Sequence, residues 1–129
     1  PMDRTDRCCE TCGRRFAWRR KWSHNWNEVR FCSDGCRRHR PTEFDRKLED
    51  LILELLQRRA AGSSICPSEA ARAASVDEWR PLMERVRQAA RRLESRGLVE
   101  ITQGGRRVDS STARGPIRIR RADATVPVE

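Results

Sequence analysis

Four thiols in two pairs, Cys9-x2-Cys12-Gly13 and Phe31-Cys32-Ser33-x2-Cys36, dominate the first forty residues and constrain them more than any other feature. A Cys-x2-Cys turn presents two thiolates to one ion, and Gly13 is free to take the positive φ that such a turn often needs. In the second pair Ser33 is placed to cap a short helix whose first turn carries Cys36 back toward the first pair. The pairs stand nineteen residues apart, which suits a closed tetrahedral site. One structural Zn²⁺ per chain is therefore expected on Cys9, Cys12, Cys32 and Cys36. A closed four-sulfur site leaves no position for water or substrate, so the motif predicts a scaffold and no chemistry of its own. Cys8 could join the site only by distorting the first turn. Cys66 reads as a small buried residue, and His24 and His39 are not needed as ligands.

Residues 1–40 hold three of the four tryptophans but, Met2 apart, only one aliphatic side chain larger than alanine, Val29. Such a segment cannot bury enough surface to fold alone. Structural zinc supplies about 10–16 kcal/mol of apparent binding free energy, enough to replace the missing core, so the segment is expected to be unfolded without metal. The sequence has no apolar run near the length of a membrane span and no charged-then-apolar leader, which leads us to expect no membrane partner and a cytoplasmic location. Thiols stay reduced in that compartment, which favours zinc over disulfides.

Beyond the cysteines the pattern changes. Residues 41–47 read as a polar hinge running into a helix from Phe44 to about Arg59, with Phe44, Leu48, Leu51, Ile52, Leu55 and Leu56 at helical spacing. Cys66-Pro67-Ser68-Glu69 opens a second, short helix over Pro67–Ala74, with proline at the first helical position and Glu69 placed to reach back to the cap. A third helix carries Leu82, Met83, Val86, Ala89, Ala90 and Leu93 to about Arg96, its regular part beginning near Pro81. Leu98–Thr102 and Pro116–Arg120 alternate apolar with polar residues and predict a β-hairpin with a long, basic, glycine-containing tip. Three helices followed by a hairpin describe an α+β winged helix-turn-helix. The expected organisation is a four-cysteine zinc-knuckle module over 1–40, a hinge over 41–47, a winged-helix domain over 48–121 and a disordered tail over 122–129.

Two resemblances go with these residues. The N-terminal segment, with Cys9-x2-Cys12-Gly13-Arg14-x-Phe16-x-Trp18-Arg19-Arg20-Lys21-Trp22, Trp26-x-Glu28-Val29 and Phe31-Cys32-Ser33-x2-Cys36-Arg37, resembles a small bacterial family of unknown function whose members are often encoded beside cryptochrome or photolyase genes. Residues 48–121, with Ser64-Ile65-Cys66-Pro67-Ser68-Glu69-Ala70-Ala71-Arg72, Trp79-Arg80-x-Leu82-Met83, Val86-Arg87-x-Ala89-Ala90 and Gly115-Pro116-Ile117-Arg118, resemble a second uncharacterised bacterial family, of winged-helix type. Neither resemblance implies an activity. The two knuckles alone are also similar to those of small zinc proteins that inhibit DNA gyrase.

Of the 28 basic residues all but Lys21 and Lys47 are arginine, and the formal net charge is +9. Position carries more than the total. Residues 80–121 hold 12 basic and 4 acidic residues, whereas 41–79 hold 5 basic and 8 acidic. This split predicts a nucleic-acid contact, DNA first, along the third helix and the hairpin tip through Arg85, Arg92, Arg96, Arg106 and Arg107. Trp18, Trp22 and Trp26 fall four apart, as on one helix face, and read mainly as core, with Arg19, Arg20 and Lys21 as an added basic contact. No histidine is patterned with a nucleophile and a carboxylate, and no glycine-rich loop follows a strand, so the sequence does not read as an enzyme. The alternative function is an adaptor that docks on a protein, such as a DNA-acting enzyme.

Overall fold

The Cys9–Cys12 turn is built on a short ribbon. In the computed structural model, which describes residues 4–122, strand β1 (Arg7–Cys8) pairs antiparallel with β2 (Arg15–Phe16). The turn between them closes through Cys9 N–H to Arg14 O at 2.8 Å and Gly13 N–H to Cys9 O at 3.0 Å. The tryptophan-rich segment that follows is two 3-10 turns, Arg20–Trp22 and Trp26–Glu28, and not the α-helix implied by the four-residue spacing. Its backbone bonds run to the third preceding residue, as in Trp22 to Arg19 and Val29 to Trp26. The Ser23-His24-Asn25 stretch between the turns is made of weak helix formers. This tighter path folds Trp22 and Trp26 onto Phe16, with ring centroids 5.5–5.7 Å apart. Trp26 is fully buried. The aromatic rings thus serve as the core of the segment, which has almost no aliphatic residues to offer. Helix α1 (Asp34–Arg38) then starts from Ser33, whose hydroxyl accepts the Cys36 N–H at 3.1 Å.

The expected hinge shrinks to Pro41 and Thr42. Residues 43–47 are instead the first turn of α2 (Glu43–Gln57), because Thr42 and Asp45 form a reciprocal capping box: the Asp45 N–H donates to the Thr42 hydroxyl at 3.2 Å and the Thr42 N–H to the Asp45 carboxylate at 2.8 Å. Strand β3 (Ser64–Ile65) leads to α3 (Pro67–Ala74), where the Cys66 N–H donates to Glu69 at 2.9 Å. A 3-10 turn over Arg80–Leu82 runs into α4 (Met83–Ser95). Strands β4 (Val99–Gln103), β5 (Arg106–Arg107) and β6 (Arg118–Arg121) follow, and all pairings are antiparallel in the order β3-β6-β4-β5. Gly104 and Gly105, both at positive φ, make the two-residue turn between β4 and β5, the backbone a tight hairpin turn of this kind demands.

One core joins these elements. It contains Leu48, Ile52 and Leu56 of α2, Ala70 and Ala71 of α3, Val86, Ala89, Ala90 and Leu93 of α4, and Ile65, Val99, Ile101, Ile117 and Ile119 from the sheet side. The Ile101–Ile119 pairing puts alternate residues of β4 and β6 on the helix-facing side, so the period-two register is as the alternation predicts. Leu51 and Leu55, expected inside, are half-buried at the flank of the stripe and pack against the core from its edge. Among the described residues no helix is long and apolar enough to cross a membrane. The tail expected over 122–129 lies outside the described residues except for Ala122, whose N–H donates to Leu98 O at 3.1 Å.

Candidate metal centre

The ribbon turn, the two 3-10 turns and α1 bring Cys9, Cys12, Cys32 and Cys36 together, with all four Sγ atoms within 4.8 Å of one another. Cys12 Sγ lies 3.8 Å from Cys32 Sγ, and Cys32 Sγ lies 3.7 Å from Cys36 Sγ. A tetrahedron of thiolates about 2.3 Å from a central ion has edges of about 3.8 Å, so the donor set fits a metal ion such as zinc. These spacings are too long for disulfides. Cys9 and Cys12 are buried, and Cys32 and Cys36 half-buried. The Cys9 thiol is lowered to about 4: the Cys12 thiol donates to it, burial opposes, and backbone N–H groups of Cys32, Cys12 and Thr11 add to the lowering. Thr11 N–H stands 3.4 Å from Cys9 Sγ, and the Thr11 hydroxyl donates to Cys36 O at 2.7 Å, tying the first knuckle to α1. Cys8 is exposed, Cys66 is half-buried at the start of α3, and neither belongs to the cluster; nor do His24 and His39.

The knuckle does not stand free. It is seated on α4 through two buried arginines, Arg91 and Arg92. Arg91 Nε donates to Cys12 O at 2.6 Å, and Arg92 Nη1 donates to Thr11 O at 2.7 Å. Gly13 lies so close to the helix that a Cβ there would meet Arg91 Cβ at 2.4 Å, and its φ is +78°. Only glycine fits. Arg15 extends the contact at the far side, its N–H donating to the Ser111 hydroxyl at 2.7 Å and its guanidinium pairing with Asp109 at 2.9 Å.

Of the residues expected at a nucleic-acid contact, the structure takes Arg92 out of reach and pairs others with acids. Arg92 is 4% exposed and bonds Glu49 at 2.6 Å, so it belongs to the interior. Arg85 pairs with Asp45 at 2.7 Å, and Arg96 with Glu49 at 2.9 Å. The acids of α2, one turn apart, thus take up the arginines of α4. Arg107 is exposed and 3.8 Å from Glu100, while Arg106 is exposed at the β4–β5 turn. Arg19, Arg20 and Lys21 are exposed, with Lys21 Nζ 4.9 Å and Arg19 Cζ 5.9 Å from the Trp22 ring centre.

A basic groove that composition did not reveal runs beside Lys21. It has a volume of about 590 Å³ and is lined by Lys21, Trp22, Arg30, Phe31, Arg37 and Arg40, among others. A second hollow of about 250 Å³ continues it past Phe31, Arg30 and Arg40 to Arg46. The Arg40 guanidinium lies 5.0 Å from the Phe31 ring centre. Two carboxylates also line it, Asp34, which is paired with Arg37, and Glu28; Lys21, Arg30 and Arg40 have no carboxylate partner among the described residues. The sequence signal was present in Arg30-Phe31 and Arg38-His39-Arg40, on either side of the second cysteine pair, but only folding brings those segments to one wall.

No curated protein matches the chain. Residues 2–39 match the model of a family described as an uncharacterized protein conserved in bacteria (DUF2256), which covers the cysteine cluster and the tryptophan turns. Residues 45–122 match the model described as a protein of unknown function (DUF3253). That match takes in α2, α3, α4 and the four-stranded sheet, more than half the sequence, and the chain belongs to the DUF3253 family.

Proposed function

We propose that this is a zinc-containing winged-helix protein that binds nucleic acid, with single-stranded segments held in the basic groove of the cysteine module. The observation that carries the reading is the groove itself: three cations without carboxylate partners around a half-exposed Phe31 and Trp22. Cations along such a groove track phosphates, while aromatic faces take up unpaired bases. Zinc is the ion that four thiolates at tetrahedral spacing suit best, and its role here is to hold the groove's walls together. The order helix, short strand, two helices and antiparallel strands, with β3 against β6, supports a winged helix. Its third helix would ordinarily supply the groove contact. Here that helix carries the cysteine knuckle on Arg91 and Arg92, so contact through α4 gives way to contact through the module seated on it. Arg19, Arg20 and Arg106 are exposed and extend the basic surface.

The test is titration of the nucleic-acid-free protein with single-stranded DNA, single-stranded RNA and duplex at several salt concentrations. We expect log affinity for single strands to fall with log salt at about −0.7 per phosphate contacted, and Arg40→Gln to remove about one such contact. Phe31→Ala should weaken binding by about 1–3 kcal/mol through lost stacking, with the salt slope unchanged. Absence of salt-dependent binding to all three probes would displace this reading in favour of a protein-docking adaptor.

A further inference from the structure

At the opposite flank of α4 from Glu49, a second and much smaller site lies between the cysteine module and the loop that precedes β6. Arg14, Arg87 and Arg91, with Glu84, line a hollow of about 40 Å³ whose apolar wall includes Ile101 and Ile117. Arg91 is fixed there, 5% exposed, with Nε on Cys12 O and Nη2 on Glu84 at 3.0 Å. Glu84 is the one carboxylate on the hollow, and Arg91 already takes it. Arg87 Nε is buried with no hydrogen-bond partner among the described residues. Glu84 being the one carboxylate on the hollow, the Arg87 charge is left uncompensated there.

The charges on the hollow indicate the class of acceptor. Three guanidiniums against one carboxylate leave two positive charges on the hollow, and a phosphate monoester carries about −1.5 to −2 at neutral pH. A halide or nitrate would leave half the charge unmatched. A backbone diester, with one charge, would likewise leave one of the two unmatched.

We propose that Arg14, Arg87 and Arg91 form a binding site for a phosphate dianion, either free inorganic phosphate or the terminal phosphate of a larger ligand such as a nucleic-acid strand. The site is independent of the groove reading: Phe31→Ala should leave it untouched. Calorimetric titration of the full-length, zinc-loaded protein with inorganic phosphate should show one phosphate per chain. Arg87→Gln and Arg14→Gln should each weaken it by about tenfold, the loss that goes with one charge-assisted bond. Arg14 is exposed and Arg87 has no partner to lose, so both variants should keep the wild-type unfolding midpoint in phosphate-free buffer. The wild type should gain thermal stability on adding phosphate, and the variants should gain less. Oligonucleotides bearing a terminal phosphate, compared with the same strands bearing a terminal hydroxyl, separate the sources: a preference abolished by Arg87→Gln assigns the site to strand ends, and equal binding alongside an intact phosphate titration assigns it to the free ion. No uptake at millimolar phosphate in low salt, or uptake undiminished in both variants, would overturn the proposal.

Discussion

Glu49 accepts from three arginines, Arg46, Arg92 and Arg96, and Arg92 in turn donates to Thr11 O and Asp45 O. A pair buried on both sides, here 4% and 5% exposed, loses most when one partner goes, because the other is left charged and dry. Arg92→Ala is therefore expected to cost about 3 kcal/mol, near the lower end for such pairs because Arg46 and Arg96 remain on Glu49. Chemical denaturation of the zinc-loaded protein measures it. The neighbouring acid gives a pH signature. Burial pushes the Asp45 carboxyl up, but Arg85 at 2.7 Å and the Thr42 N–H and hydroxyl outweigh it and hold the group at about 2, below its ordinary 3.8. A carboxyl lowered in the folded state contributes stability that is complete above its unfolded pKa and is lost as pH falls toward the folded value. Stability should thus drop between about pH 4 and pH 2, by about 1–2 kcal/mol from Asp45 once the water around the part-exposed Arg85 is allowed for. Glu49 is lowered too, burial being outweighed by Arg92 and Arg96, and adds in the same sense. Acid also strips metal from thiolates, so the comparison is with Asp45→Asn. That variant should show a shallower acid limb, and an identical limb would remove Asp45 from the account.

At the scale of elements, burial within α2 follows the geometry of its stripe. Leu48, Ile52 and Leu56 are at most 1% exposed, while Leu51 and Leu55, one turn apart on the same flank of the stripe, are half-buried. Truncating a fully buried aliphatic side chain costs about 2–5 kcal/mol, transfer and cavity together. Ile52→Ala should fall in that range, and Leu55→Ala should cost less than half as much, as read from unfolding midpoints. The helical periodicity was sufficient to place α2, α3 and α4, because caps and apolar spacing act over a few residues. It failed at Trp18, Trp22 and Trp26: Trp22 and Trp26 belong to 3-10 turns wrapped around Phe16, and Trp18 lies outside both turns. Periodicity reports which side chains go inside, and a chain closing around a metal can reach that result without a helix.

Across the whole molecule the cysteine module and the α+β domain share hydrogen bonds that neither could satisfy alone. If the metal is removed, the knuckle loosens, and Arg91 and Arg92 lose the carbonyls of Cys12 and Thr11. Chelation is therefore expected to lower the stability of α4 and α2 as well as of residues 8–40. Hydrogen exchange should report reduced protection in α4 on metal removal. Unchanged protection there would mean that the two parts fold independently. Metal analysis of the intact protein should return about one zinc per chain, and Cys32→Ser should behave like the chelated wild type.

The local code was legible from residue types and spacing alone: two cysteine pairs that converge on one cluster, Ser33 and Glu69 at helix starts, and the alternation that turns Ile101 and Ile119 inward. Each of these depends on contacts within a few residues or on a simple period. The fate of the charges was not legible in the same way. Arg85, Arg92 and Arg96 look like a solvent-facing basic stripe until α2 packs against α4 and sets Asp45 and Glu49 opposite them. Arg91 and Arg92 look free until Gly13, which has no side chain to hold the helix away, lets the knuckle settle on them. An arginine's long side chain can reach water, a carboxylate or a backbone carbonyl with similar local geometry, so only the tertiary structure decides which one it meets.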